Sequence, residues 1–161
     1  MQPSAVSRPA PSTGSRVRFT HTQVYRAALE DVFPLLCPVR EYEYLPQWQC
    51  RIVRLDSGLI EEGGVFTTED GGDVWVVARY VSNKSIRFIR VNAWRTMSYS
   101  IDVQPAPPGE VRLHWEQVIT GLDAEGNRQV EVLRESDFRQ MLDGMQALLQ
   151  HYLDSGAMRQ Q

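Results

Sequence analysis

The sequence predicts an α+β domain in which an antiparallel sheet packs against one long C-terminal helix, and three observations carry that expectation. Between Trp48 and Thr120, short apolar–polar alternations follow one another, each ended by turn-forming residues. Links that short join neighbouring strands as hairpins, which makes the pairing antiparallel. Beyond Gly126-Asn127 the apolar spacing changes from two to three and four, the period of a helix with one buried face.

Residues 1–14 are mostly Pro, Ser and Ala with almost nothing to bury, and are expected to form a disordered tail. Residues 15–156 make the single domain and 157–161 a C-terminal tail. A first strand at 16–25 alternates Val17 and Phe19 with Arg16, Arg18 and Thr20. Leu29, Val32, Phe33 and Leu36 share a helical face, but Pro34 and Pro38 keep that helix short. A second short helical piece is expected over 39–45. Six strands follow at 48–55, 64–69, 73–81, 86–92, 96–103 and 110–120. Asp56-Ser57-Gly58, Asp70-Gly71-Gly72, Ser82-Asn83-Lys84-Ser85 and the proline-rich 105–109 separate four of these joins. One helix should then begin after Gly126-Asn127, with Phe138, Met141, Leu142, Met145, Leu148, Leu149 and Tyr152 on its apolar face, and end at Ser155-Gly156.

A length of 161 residues suits one domain, and 42% hydrophobic with 23% charged residues is ordinary globular usage. Lys and Arg total 17 against 20 Asp and Glu, a net charge of −3, which argues against a nucleic-acid or anionic-membrane surface. Stable membrane insertion is not expected, since no apolar run reaches the roughly 20 residues that span a bilayer. Cys37 and Cys50 are too few for a disulfide scaffold and have no zinc-ligand spacing, so neither metal nor cofactor is expected. With no signal-peptide stretch at the N-terminus, a cytoplasmic monomer or homodimer is the expectation.

Several segments resemble a known superfamily. Val24-Tyr25-Arg26-Ala27 leading into Val32-Phe33-Pro34-Leu35-Leu36 is similar to the first strand and helix of START-like (SRPBCC), polyketide cyclase-like proteins. Glu41 with Leu45-Pro46 and Trp48 resembles a bacterial branch, as do Gly64-Val65-Phe66-Thr67-Thr68, Trp75-Val76-Val77 and the Gly121-Leu122 to Gly126-Asn127 stretch. The resemblance covers about residues 17–153. It implies the helix-grip fold: a curved seven-stranded antiparallel sheet wrapped around the long C-terminal helix, with two short helices after strand 1 and a ligand between sheet and helix. It implies no particular chemistry, because one fold hosts many functions.

Strand parity then nominates the residues facing that space. Met97, Tyr99, Ile101 and Val103 are apolar where Ser98, Ser100 and Asp102 are polar, so odd positions face inward. Pairing Val103 with Val111 sets Tyr99 opposite Trp115. Pairing Val91 with Met97 places Arg87 and Ile89 inside, and a two-residue Asn83-Lys84 turn brings Val74, Val76, Ala78 and Tyr80 to the same side. A slip of one residue would instead turn Trp75, Arg79, Phe88 and Arg90 inward. The expected ligand-binding set is Trp48, Tyr80, Arg87, Ile89, Tyr99, Trp115, Gln117, Met141, Met145 and Leu148, with Arg87 and Gln117 as its polar points. The plain alternative is that these side chains fill a dry core.

Other chemistry-bearing residues are less pointed. His114 and Glu116 share a face that parity makes the outer one. Glu41 and Glu43, near His21 or Tyr44, could supply acid–base groups at a cavity mouth, or be surface carboxylates. Asp70-Gly71-Gly72-Asp73 lacks the spacing of a calcium loop and reads as a turn. No nucleophile motif is present. Three functions therefore compete: binding of a small hydrophobic or amphipathic molecule; a polyketide cyclase or dehydratase using the same cavity; and a co-chaperone-like interaction module, which an outer patch around Trp75 and Phe88 would favour.

Overall fold

The structure, a computed structural model, describes residues 13–160, so residues 1–12 of the expected tail lie outside it. The chain runs β1 (Arg16–Arg26), α1 (Leu29–Val32) continuing into a 3₁₀ turn (Phe33–Leu36), a second 3₁₀ turn (Glu41–Glu43), β2 (Cys50–Arg54) and β3 (Val65–Thr68). It continues through β4 (Val74–Val81), β5 (Ser85–Val91), β6 (Arg95–Gln104), β7 (Glu110–Gly121), α2 (Ala124–Glu131) and α3 (Glu135–Ser155). The strands make one seven-stranded sheet in the order β1-β7-β6-β5-β4-β3-β2, antiparallel throughout. No helix among the described residues is long and apolar enough to cross a membrane.

Only the first connection is long-range: β1 pairs with β7 from Arg16↔Thr120 to Arg26↔Glu110, so chain start and chain end close one side of the sheet. The outer edge of β1 is covered by side chains of α3 rather than by another strand. Gln146 accepts from Val24 N (3.3 Å) and donates to Val24 O (2.9 Å), while Gln150 does the same for Arg26 N (2.9 Å) and O (3.2 Å). Glu135 takes Thr20 N at 3.3 Å. Part of an edge strand thus has its free backbone groups satisfied, which also pins the helix across the sheet.

The C-terminal segment expected as one helix is two. Asp123 caps α2, its carboxylate accepting from Gly126 N at 2.7 Å, and the helix starts ahead of Gly126-Asn127. Val132, Leu133 and Arg134 are non-helical, and α3 starts at Glu135. Gly126 is forced by packing: a Cβ there would lie 2.0 Å from Trp94 O. Gly156, at φ 70°, ends α3 as expected for a left-handed cap.

The β6–β7 pairing keeps the expected face but slides by two residues: Val103 pairs with Leu113 and Tyr99 with Gln117, so Ile101 is the residue opposite Trp115. For β5 the expected parity is inverted. Val91 pairs with Thr96 and Asn92 N donates to Arg95 O at 3.1 Å, leaving a two-residue turn, Ala93-Trp94. Asn92 Oδ1 caps it by accepting from Trp94 N (3.1 Å) and Arg95 N (2.9 Å). At the other end Val81 pairs with Ser85 around a three-residue loop in which Asn83 takes φ 56°. Ile86, Phe88 and Arg90 therefore face the helix, and Arg87 and Ile89 face out. A bulge at Ala78 shifts the β4 register, so that Tyr80 below it and Val77 and Trp75 above it all lie on the inner side.

Candidate functional site

Between the inner face of the sheet and α3 lies a cavity of about 440 Å³, within the usual size of a small-molecule pocket. Its floor is a row of rings contributed strand by strand. Phe66 of β3 stacks on Trp75 of β4 at 5.4 Å, and Trp75 stacks on Tyr99 of β6 at 5.3 Å. Phe88 of β5 meets Trp75 edge-on at 5.8 Å, and Trp115 of β7 completes the row. Met141, Gly144, Met145 and Leu148 of α3 form the roof. Leu36, Pro38, Leu45 and Trp48 close one end, with the Trp48 indole N–H anchored on Pro38 O at 2.8 Å.

The floor is held by buried polar nodes behind it. Gln23, fully buried in β1, accepts from Trp115 Nε1 (2.7 Å) and from the Tyr25 hydroxyl (3.0 Å), and donates to Leu142 O (2.7 Å). One amide thereby fixes a floor indole, a core phenol and the helix backbone at once. Asp73 does similar work at the other end. It accepts from Arg90 Nε at 2.8 Å and from Arg90 Nη2, and from Asn92 Nδ2 at 2.8 Å. The Arg90 guanidinium lies 4.8 Å from the centre of the Trp75 ring, so its charge is matched by a carboxylate and a π face.

Six of the ten residues nominated by parity border this space: Trp48, Tyr99, Trp115, Met141, Met145 and Leu148. Arg87 does not. It lies on the outer face, paired with Asp102 at 2.8 and 2.9 Å. Ile89 is exposed beside it, contrary to the inward placement expected. Tyr80 is on the inner side but packs on Phe33 at 5.9 Å, away from the cavity. Gln117 is buried under the floor, where its amide donates to Met97 Sδ at 3.2 Å. In their place stand Trp75, Phe88 and Arg90, the residues a one-residue slip brings in, together with Phe66. Phe66 sits in the short strand Val65–Thr68, whose residues do not alternate, so the sequence carried no signal for its facing.

The remaining candidates separate cleanly. His114 and Glu116 face outward, bonded to Thr22 (3.2 Å) and Arg18. Asp70 closes its own turn by accepting from Thr68 Oγ1 (2.6 Å) and Gly72 N (2.9 Å). His21 bonds Asp143 at 2.7 Å on the outside of α3. Glu43 is taken by Arg40 at 2.8 and 3.1 Å and by the Tyr152 hydroxyl at 2.6 Å, and Arg40 holds its carboxyl below the ordinary range. Glu41 is different. Its side chain borders the cavity, no described residue gives it a hydrogen bond or ion pair, and burial pushes its pKa up to about 8.

An open antiparallel sheet gripping a long C-terminal helix, with the cavity between them, is the helix-grip fold. No family model matches the chain, and neither does any curated protein. Among solved structures it is similar to norcoclaurine synthase from Thalictrum flavum in complex with dopamine and hydroxybenzaldehyde, at TM-score 0.62 and 12% identity over 91% of this chain and 96% of that one. It is also similar to CalU16 from Micromonospora echinospora, at TM-score 0.57 and 12% identity over 89% and 90%. Ara h 8.0201 matches at TM-score 0.60 and 13% identity over 88% and 99%. At such identities the likeness establishes the fold.

Proposed function

We propose that the protein binds a small hydrophobic or amphipathic molecule between sheet and α3. The observation that carries this reading is the cavity itself: about 440 Å³ of space walled by Phe66, Trp75, Phe88, Tyr99 and Trp115, in a fold shared with a norcoclaurine synthase solved in complex with dopamine and hydroxybenzaldehyde. Unfilled apolar volume of this size costs stability in a chain that has no use for it. Two methionines in the roof allow the wall to adapt to more than one shape.

A cyclase or dehydratase would need several polar groups converging on the bound molecule. Here Arg90 is committed to Asp73 and Trp75, and Glu41 is the one uncommitted carboxyl among the described wall residues, which favours carriage over catalysis. The interaction-module reading loses its motive, since Trp75 and Phe88 lie inside.

Titration with N-phenyl-1-naphthylamine, a neutral apolar fluorophore, tests the proposal. The folded protein should bind about one equivalent, with energy transfer from Trp48, Trp75 and Trp115 at the cavity wall. Leu148→Trp should weaken that binding tenfold or more while leaving the melting temperature unchanged or raised. If the wild type takes up no probe and Leu148→Trp melts early, the interior is solid and the reading is wrong.

A further inference from the structure

We propose that Glu41 is the polar anchor of the cavity and selects a ligand whose ring-shaped apolar body carries an uncharged hydrogen-bond acceptor, a carbonyl or ether oxygen. This inference rests on the binding role given above and adds the chemistry of what is bound. The two carboxylates of the short turn Glu41–Glu43 have opposite surroundings. Glu43 has Arg40 and Tyr152; Glu41 faces the cavity beside Leu36, Pro38, Leu45 and Trp48 with no partner among the described residues. Three other polar groups of the wall are already used. Arg90 is bonded to Asp73, the Trp48 indole to Pro38 O and the Trp115 indole to Gln23. Glu41 is thus the uncommitted carboxyl of the wall, set at its Leu36–Trp48 end, while the Tyr99 hydroxyl on the floor and the Gln140 amide on α3 are its other open polar groups.

The surroundings also say which form of the carboxyl a ligand meets. An isolated carboxylate among aromatic and aliphatic walls is penalised by lost hydration, so the group keeps its proton at neutral pH and offers an O–H donor. Titratable groups around it do not reverse this. Tyr44 is buried with its hydroxyl on Leu35 O at 3.1 Å and stays protonated; Cys37 is buried; burial raises the Cys50 thiol. Across the cavity Arg90 is bonded to Asp73, which Arg95 also reaches at 3.5 Å, and burial raises Tyr99. The part of α3 facing the cavity, from Gln140 to Leu148, presents uncharged side chains. A neutral acceptor can take the Glu41 proton in a hydrogen bond with no charge buried. A cationic ligand would require two ions to be stripped of water, and an anion would have to compete with Asp73 for Arg90 at the opposite wall.

Calorimetric titration of the full chain with three matched probes tests this: 2-acetylnaphthalene, its hydrocarbon analogue 2-isopropylnaphthalene, and 1-(2-naphthyl)ethylamine, at pH 6.5 and 9.5. The ketone should bind about tenfold tighter than the hydrocarbon at pH 6.5, the worth of one well-made hydrogen bond, and lose most of that margin at pH 9.5, where Glu41 is ionised. Glu41→Gln keeps a donor without a titration, so its margin should persist at both pH values. Glu41→Leu should bind the hydrocarbon as well as wild type and show no margin. Equal binding of ketone and hydrocarbon to wild type at pH 6.5, a margin retained in Glu41→Leu, or the amine binding tightest would each overturn the proposal while leaving the cavity reading intact. Failure of all three probes, the hydrocarbon included, would sink both.

Discussion

Gln23 and Glu41 are both polar groups turned toward the interior, and the difference between them lies in their partners. Every hydrogen-bonding atom of the Gln23 amide that the core can reach is used, on Trp115, Tyr25 and Leu142. Gln23→Leu should therefore destabilise by about 2–4 kcal/mol, because it strands a buried indole N–H, a phenol and a helix carbonyl together; urea denaturation measures it. Glu41 runs the other way. Its folded pKa, about 8, lies above the ordinary value of 4.5 for an unfolded glutamate. Stability from this group is fully present below about pH 4.5 and is lost as pH rises through 8, since ionisation is favoured in the unfolded chain. Glu41→Gln should raise the melting temperature at pH 7 to 9 and make little difference near pH 4. A gain that is flat across that range would show that Glu41 is not held neutral.

At the scale of elements, close approach and edge protection set the design. Gly126 lets α2 sit against the Ala93-Trp94 turn, and a methyl group at this position meets a backbone oxygen that has nowhere to move. Gly126→Ala should cost about 2 kcal/mol or more and, because it displaces α2 from the sheet, should increase hydrogen exchange at both ends of that contact. The outer edge of β1 depends on Gln146 and Gln150 of α3. Replacing both with Ala uncovers the backbone of Val24 and Arg26 and should bring self-association at high concentration before any large fall in melting temperature, as light scattering against thermal denaturation would show.

At the scale of the whole molecule, the sheet, α3 and the short 3₁₀ turns form a container whose contents contribute to its stability. A ligand present at a hundredfold excess over its Kd should stabilise the fold by about 2.7 kcal/mol, a shift of several degrees in melting temperature for a chain of this size. In Leu148→Trp that ligand-induced shift should vanish, because the indole already occupies the space. The fold that builds the container was legible in the sequence to a large degree. Strong alternation in Arg95–Gln104 and Glu110–Gly121 allows one burial pattern each, and the three-and-four spacing from Phe138 to Tyr152 allows one helix face. The six nominated residues that border the cavity all lie on those elements or on the Trp48 approach.

What the sequence alone determined is the order of the strands and of the long helix, the buried faces of β6, β7 and α3, and through them the helix-grip architecture. The tertiary structure decided which face of β4 and β5 looks inward. Both faces of Ile86–Val91 carry apolar side chains and an arginine, so local pattern is silent there, and the parity passes to the turns, where one residue more or less inverts a whole strand. Asn83 in the left-handed region, the Asn92 cap and the bulge at Ala78 settle that count. The isolation of Glu41 was likewise beyond the sequence, because it depends on where Arg40, Tyr152 and α3 come to rest, and a carboxyl acquires its chemistry from the neighbours that folding brings or withholds.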